Sequence, residues 1–245
     1  MERELNHYLK SLNDQFEDFG SIRHFLYRNC NANGKDVDGW TALHFYAAHN
    51  GPVEDIESSL SKGALINQVT HDNGWTPLHL EVKSDNFNIV EVLITNGADV
   101  NVKDLDDLNP LQIAAQNGYV DITEILSECH DCLVDEKDSN GQRALHLAAY
   151  DGHAYVIHVL MKNGASVNLI DHFHQTALSL SVQADHLEVM NLLIDCGDNL
   201  VDELKLHDKK KLVNTLLILA AKSGQTCIMG DLIINHGANV HTTAY

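Results

Sequence analysis

Polar and apolar positions fall in blocks along this chain, and the blocks return in register. Between Asp138 and Ile170 a polar turn, Asp138-Ser139-Asn140-Gly141-Gln142, precedes the apolar run Arg143-Ala144-Leu145-His146-Leu147-Ala148-Ala149. A second apolar run follows, and Gly164-Ala165-Ser166-Val167-Asn168 closes the block. The first run returns at Thr41-Ala42-Leu43-His44, Thr76-Pro77-Leu78-His79, Asn109-Pro110-Leu111-Gln112, Thr176-Ala177-Leu178-Ser179 and Thr215-Leu216-Leu217-Ile218. Its fourth position, from His44 through His79, Gln112, His146 and Ser179 to Ile218, advances by 35, 33, 34, 33 and 39 residues. The closing anchor returns as Gly63-Ala64-Leu65-Ile66-Asn67, Gly97-Ala98-Asp99-Val100-Asn101 and Gly237-Ala238-Asn239-Val240-His241. Two anchors in fixed phase predict a unit of one turn and two helices, repeated along most of the chain.

These motifs resemble the ankyrin-repeat family, and the resemblance covers nearly the whole chain. It implies an all-α solenoid of helix-turn-helix units with β-hairpin or turn fingers and a concave binding face. We expect an N-terminal capping repeat over 1–35 and repeats at 36–70, 71–103, 104–137, 138–170, 171–209 and 210–245, in one continuous domain. The fifth carries a six-residue insertion before the sixth.

Several positions depart from the pattern. An extra residue near Phe45-Tyr46-Ala47-Ala48 is expected to bulge the first helix. Glu81-Val82 replaces a small Ala-Ala pair, so either Glu81 turns outward or that layer is loosened. Asp107 and His174 stand where other turns have glycine; Asp tolerates left-handed backbone, and the His174 finger is expected to be less rigid. The insertion, Asp202 to Lys211, holds the basic cluster Lys209-Lys210-Lys211 and is expected to be a contact loop or a neutral insertion. The last helices lack an evident polar outer face, which suggests that further repeats, a partner or a second domain follow Tyr245.

Composition narrows the function. The chain has 245 residues, 35 acids against 16 Lys and Arg, and a formal charge of −19. Residues 37–138 alone hold nineteen acids and four bases. Such a field favours basic partners and repels nucleic-acid phosphate. No apolar run reaches membrane-spanning length, and the first ten residues, MERELNHYLK, are charged where a signal peptide needs an apolar stretch. We therefore expect a cytoplasmic location, or the host cytosol for a secreted effector. Five scattered cysteines argue against a disulfide framework.

No phosphate loop, nucleophile elbow or zinc-protease motif is present, and we expect neither catalysis nor a cofactor. The family resemblance assigns His44, His79 and His146 to hydrogen bonds with turn backbone. His172 and His174 make half a metal site at most, and Cys129-His130-Asp131-Cys132 reads as a helix-end detail, so no metal is expected. The repeat phase puts Asp38, Trp40, Asp72, Asn73, Trp75, Asp106, Leu108 and Phe173 on the fingers, with Tyr150 and Asp151 on the exposed side of a first helix. With Asp104 and Asp107, the acids and both tryptophans of repeats one to three suggest a groove for a basic segment of a partner protein. Trp40 and Trp75 can also lie along the neighbouring turn, and the two roles are compatible. Asn101 and Asn168 resemble the asparagine that a hydroxylase modifies in some members of the family. Alternatives are a masking inhibitor of a regulatory protein, or the targeting domain of a longer bacterial or viral effector, toxin or enzyme. The chain would be a monomer or depend on missing C-terminal repeats.

Overall fold

A computed structural model describes residues 32–49, 51–200 and 206–241, with side-chain detail outside 196–200 and 206–210. The expected N-terminal cap therefore lies, but for its last residues, outside the described part. Among the described residues there are twelve helices and no strand. They are α1 (Ala42–Ala48), α2 (Val53–Ser61), α3 (Pro77–Lys83), α4 (Phe87–Thr95), α5 (Pro110–Asn117), α6 (Val120–Ser127), α7 (Ala144–Asp151), α8 (Ala154–Lys162), α9 (Ala177–Gln183), α10 (Leu187–Leu200), α11 (Leu206–Ser223) and α12 (Thr226–Ile234). The fingers between them are turns, not the strand-paired hairpins that the family resemblance allowed.

Most of these helices have seven to nine residues, too short to hold alone in water, so their stability comes from tertiary contact. The second helix of each pair carries a narrow apolar stripe: Ile89, Val90 and Leu93 on α4, Val156, Ile157 and Leu160 on α8. First helices are buried more completely, as at Ala144 to Ala149 of α7, where small residues let helices approach. Starts are set by the motif. Thr76 accepts a hydrogen bond from the His79 backbone N–H and Pro77 occupies the first helical position, where its missing N–H costs nothing.

Two compact units divide the chain within α5. One comprises Met1–Ala114 with Glu128–Leu133, the other Ala115–Ser127 with Val134–Tyr245. In the first, α1 packs on α2 and α3, α3 on α4, and α2 on α4. In the second, first helices stack α7 on α9 and α9 on α11, while α8 lies between α6 and α10.

Three expectations are corrected, and the left-handed backbone expected at Asp107 is found. The extra residue near Tyr46 does not bulge α1, which is an uninterrupted seven-residue helix like α3; four residues link α1 to α2, against three between α3 and α4. Glu81 does not turn outward: it is fully buried on α3. Asp107 and His174 take left-handed backbone, φ 62° and 59°, and the His174 finger makes the same closing bonds as its glycine counterparts. The insertion is not a loop throughout. α10 continues to Leu200 and α11 begins at Leu206, so Leu206 to Lys211 are helical, while 201–205 lie outside the described residues. Thr215 caps nothing; it sits inside α11 with its hydroxyl bonded to the Lys211 carbonyl at 2.9 Å.

Candidate protein-binding site

Each finger is closed by one side chain at its base. Asp36 Oδ1 accepts from the backbone N–H groups of Asp38 (3.0 Å) and Trp40 (2.8 Å), while the Asp36 N–H donates to the Trp40 carbonyl. Asp104 does the same for Asp106 and Leu108, Asp138 for Asn140 and Gln142, and Asp171 for Phe173 and Gln175. The Thr70–Trp75 finger holds one residue more, and there the Thr70 hydroxyl accepts from the Trp75 N–H. Neighbouring fingers are joined by backbone bonds: His71 N–H to the Asp38 carbonyl at 2.7 Å, Leu105 N–H to Asn73 at 2.9 Å, and His172 N–H to Asn140 at 2.9 Å.

The motif histidines tie helix to finger. His44 Nδ1 accepts from the Thr41 N–H and hydroxyl, so Nε2 carries the proton and donates to the Trp75 carbonyl at 3.1 Å. Burial holds this imidazole neutral, pushing its pKa down to about 4. His79 reaches the Leu108 carbonyl and His146 the Leu169 carbonyl in the same manner, and burial lowers both pKa values. Gln112 reproduces the local half of this device, with Oε1 accepting from the Asn109 N–H at 2.9 Å, and Ser179 does so from the Thr176 N–H.

On this frame the first unit presents Asp38, Trp40, Asp72, Asn73, Trp75, Asp106 and Leu108. Asp38, Asp72 and Asp106 are exposed at finger tips; Trp40, Trp75, Asn73 and Leu108 are half-buried. Trp40 tilts onto Phe45, ring centroids 5.1 Å apart, and Phe45 stacks in turn near His49. Trp75 donates from Nε1 to Asp104 Oδ2 at 3.3 Å, and the Lys83 ammonium lies 4.7 Å from its ring centroid. Asp104 is itself buried, so it braces the finger and the Trp75 edge instead of lining an open groove. Partial burial raises the pKa of Asp36, and the carboxylates of Asp38 and Asp72 push the same way against the bonds from Trp40 and Asp38 backbone. Tyr150, Asp151 and Phe173 belong to the second unit. Tyr150 and Phe173 are 53% and 68% exposed, and burial raises the Asp151 pKa against the pull of His153 and His186.

The spacing left one device unrecognised. The side chain that ends the closing anchor, or stands at the same position of the repeat, accepts from a backbone N–H one repeat on in four cases: Asn33 from Leu65, Asn67 from Asp99, Asn101 from Leu133 and Asp135 from Ser166. The Asn101 amide is used twice, since its Nδ2 also donates to the Asp131 carbonyl. Asn168 is exposed. The recurrence of this position was visible; what it bonded to was not, because the acceptor and donor lie about thirty residues apart in sequence. Elsewhere, Cys129 and Cys132 flank a turn, and burial raises both thiols, Cys132 to about 11, which keeps them protonated. The His172 ring lies against Gly141. Among the described residues no group of three His, Cys, Asp or Glu side chains is placed to hold a metal, and no helix is long and apolar enough to cross a membrane.

The family profile described as ankyrin repeats (3 copies) matches residues 15–104 and again residues 103–171. The chain belongs to the ankyrin-repeat family. It is 28% identical over 175 residues to the transient receptor potential cation channel subfamily A member 1 of Homo sapiens, covering 69% of this chain and 16% of that protein. With the neurogenic locus notch homolog protein 1 of Danio rerio it shares 32% over 161 residues, 65% of this chain and 6% of the relative. With the probable 26S proteasome regulatory subunit p28 of Saccharomyces cerevisiae it shares 33% over 139 residues, 56% and 60% of the two chains. The ankyrin-repeat chain thus spans less than two thirds of each of these relatives. Its repeats make it a protein–protein interaction module.

Proposed function

We propose that this ankyrin-repeat chain binds a basic, partly apolar segment of a partner protein across the fingers of its first unit, without catalysis of its own. The observation that carries the reading is the Lys83 ammonium over Trp75: the ring face already accommodates a cation, on a unit whose fingers expose the carboxylates of Asp38, Asp72 and Asp106. A partner arginine or lysine would take the same place, with the carboxylates steering its approach. Backbone-closed fingers lose little freedom on binding, so the surface is prepaid in order. The second unit's Tyr150, Asp151 and Phe173 would serve a further partner segment.

Calorimetric titration of the whole chain with an oligo-arginine peptide tests this at low salt and at ~0.5 M salt, where screening falls to a few ångströms. Trp40→Ala/Trp75→Ala should weaken binding by ~30-fold or more, and high salt should abolish most of it. A folded double variant that keeps wild-type affinity removes the proposal.

A further inference from the structure

α3 begins at Pro77 and ends at Lys83, and its inner face carries Glu81 at the position filled by Ala148 on α7 and Ala114 on α5. Neither oxygen of the Glu81 carboxyl has a partner in good hydrogen-bond geometry, the Asn86 side chain acting on it only weakly, and the residue is 0% exposed. A carboxylate cannot be held in that state: losing its hydration without a partner costs more than keeping a proton. Burial accordingly raises the pKa to about 8, with the Asn86 side chain pulling more weakly the other way. The titratable groups on elements packed against α3 are His44 on α1, His49 at the C-terminal cap of α1 and Glu91 on α4; His79, Lys83 and Asp85 lie on α3 or just beyond it. α5 carries none. Burial and Asn86 are the influences on the Glu81 carboxyl, so no charge on these elements offsets its desolvation.

We propose that Glu81 makes the first unit proton-gated: α3 stays closed against α1 and α4 while the acid holds its proton, and opens by releasing it to water. The step is an ionisation, in which the carboxyl O–H bond breaks, the electron pair stays on oxygen, and the proton goes to solvent as the side chain reaches it. Two fingers hang on this helix. Thr76 follows directly on the Thr70–Trp75 finger, whose Trp75 carbonyl is held by His44, and His79 holds the Leu108 carbonyl of the next. Opening α3 would release both, so the arrangement of Trp75 and Leu108 depends on one proton on the far side of the helix.

Amide hydrogen exchange on the whole chain between pH 5 and 8 reads this directly. Intrinsic exchange rises about tenfold per pH unit, and an opening that sheds one proton adds about another tenfold. Wild-type amides of α3 and α4 should therefore show a logarithmic slope of about two, and Glu81→Gln a slope of about one. Glu81→Ala, which restores the small residue of α7, gives the same reading should the glutamine fail to fold. Carbon-detected NMR should show one carboxyl with a midpoint near 8 that vanishes in either variant. A wild-type slope of about one, or a slope of about two that survives in the folded variants, overturns the proposal.

Discussion

The finger glycines show how tightly single residues are held. Gly141 has φ of 75°, and a Cβ there would lie 2.5 Å from Cδ2 of the His172 ring that rests on it. Gly141→Ala adds left-handed strain to a steric collision and should cost about 1–2 kcal/mol, read as a lower thermal midpoint. Adding His172→Ala should recover the collision but not the strain, so a double variant no better than the single one would show that the ring moves aside freely. Lys83 is the other residue on which a prediction turns, because its ammonium occupies the Trp75 face that the proposed ligand would use. Lys83→Met should tighten oligo-arginine binding by roughly two- to fivefold, the scale of an exposed cation–π contact. Lys62→Met removes the same charge at the end of α2 and controls for the overall field. Equal gains from both variants would mean that charge alone, not vacancy over Trp75, sets the affinity.

At the scale of elements, α11 is where pattern and structure part. The motif Thr215-Leu216-Leu217-Ile218 sits at a helix start in sequence register, but the helix begins nine residues earlier, at Leu206. A proline tells the two apart. At Ala42, the first position of α1, Ala42→Pro should change stability by no more than about 1 kcal/mol, as the N–H there has no helical partner. Leu216→Pro at the equivalent motif position falls inside α11 and should cost about 3 kcal/mol or more. Comparable melting curves for the two variants would contradict a continuous α11. The motif misled here because Lys209, Lys210 and Lys211 are good helix formers without a turn glycine, and α11 then finds its apolar partners through Val213, Leu216, Leu217 and Ala220. Elsewhere the pattern was legible: α1, α3, α5 and α9 begin at the motif, since Thr or Pro chemistry at those starts is local, and α7 begins there with the Arg143 N–H bonded to His146 Nδ1. The exposure of Asp38, Asp72 and Phe173 was legible for the same reason, as finger phase fixes which side chains project. The bracing role of Asp104 and the Asn33, Asn67 and Asn101 bonds were not, because each needs a partner one repeat away.

For the molecule as a whole, buried groups of opposite chemistry shape stability against pH, with the histidines His44, His79 and His146 set against the acid Glu81. His44 is neutral when folded, with its pKa lowered from 6.5 to about 4. Between those values the unfolded chain binds a proton that the folded one refuses, so stability is lost as pH falls from about 6.5 towards 4. Glu81 runs the other way, raised from 4.5 to about 8. The folded state keeps a proton that the unfolded state sheds, so its stabilisation is complete below about 4.5 and lost as pH rises towards 8. The two slopes oppose each other between about 4.5 and 6.5; above that window Glu81 acts alone, with an amplitude on the order of a few kcal/mol. The net charge of −19 adds self-repulsion at neutral pH in the same direction. Thermal midpoints of the whole chain should therefore hold or rise from pH 5 to 6.5, where His79 and His146 add to His44 against Glu81, and fall from 6.5 to 8. Glu81→Gln should remove most of that fall. His44→Gln, which copies Gln112 of the third repeat, should instead weaken the acid limb, of which His79 and His146 keep the rest, and leave the fall above pH 6.5 in place. A wild-type midpoint that rises steadily from pH 5 to 8 would mean that Glu81 is ionised within the fold, and with it the account of α3 would fail.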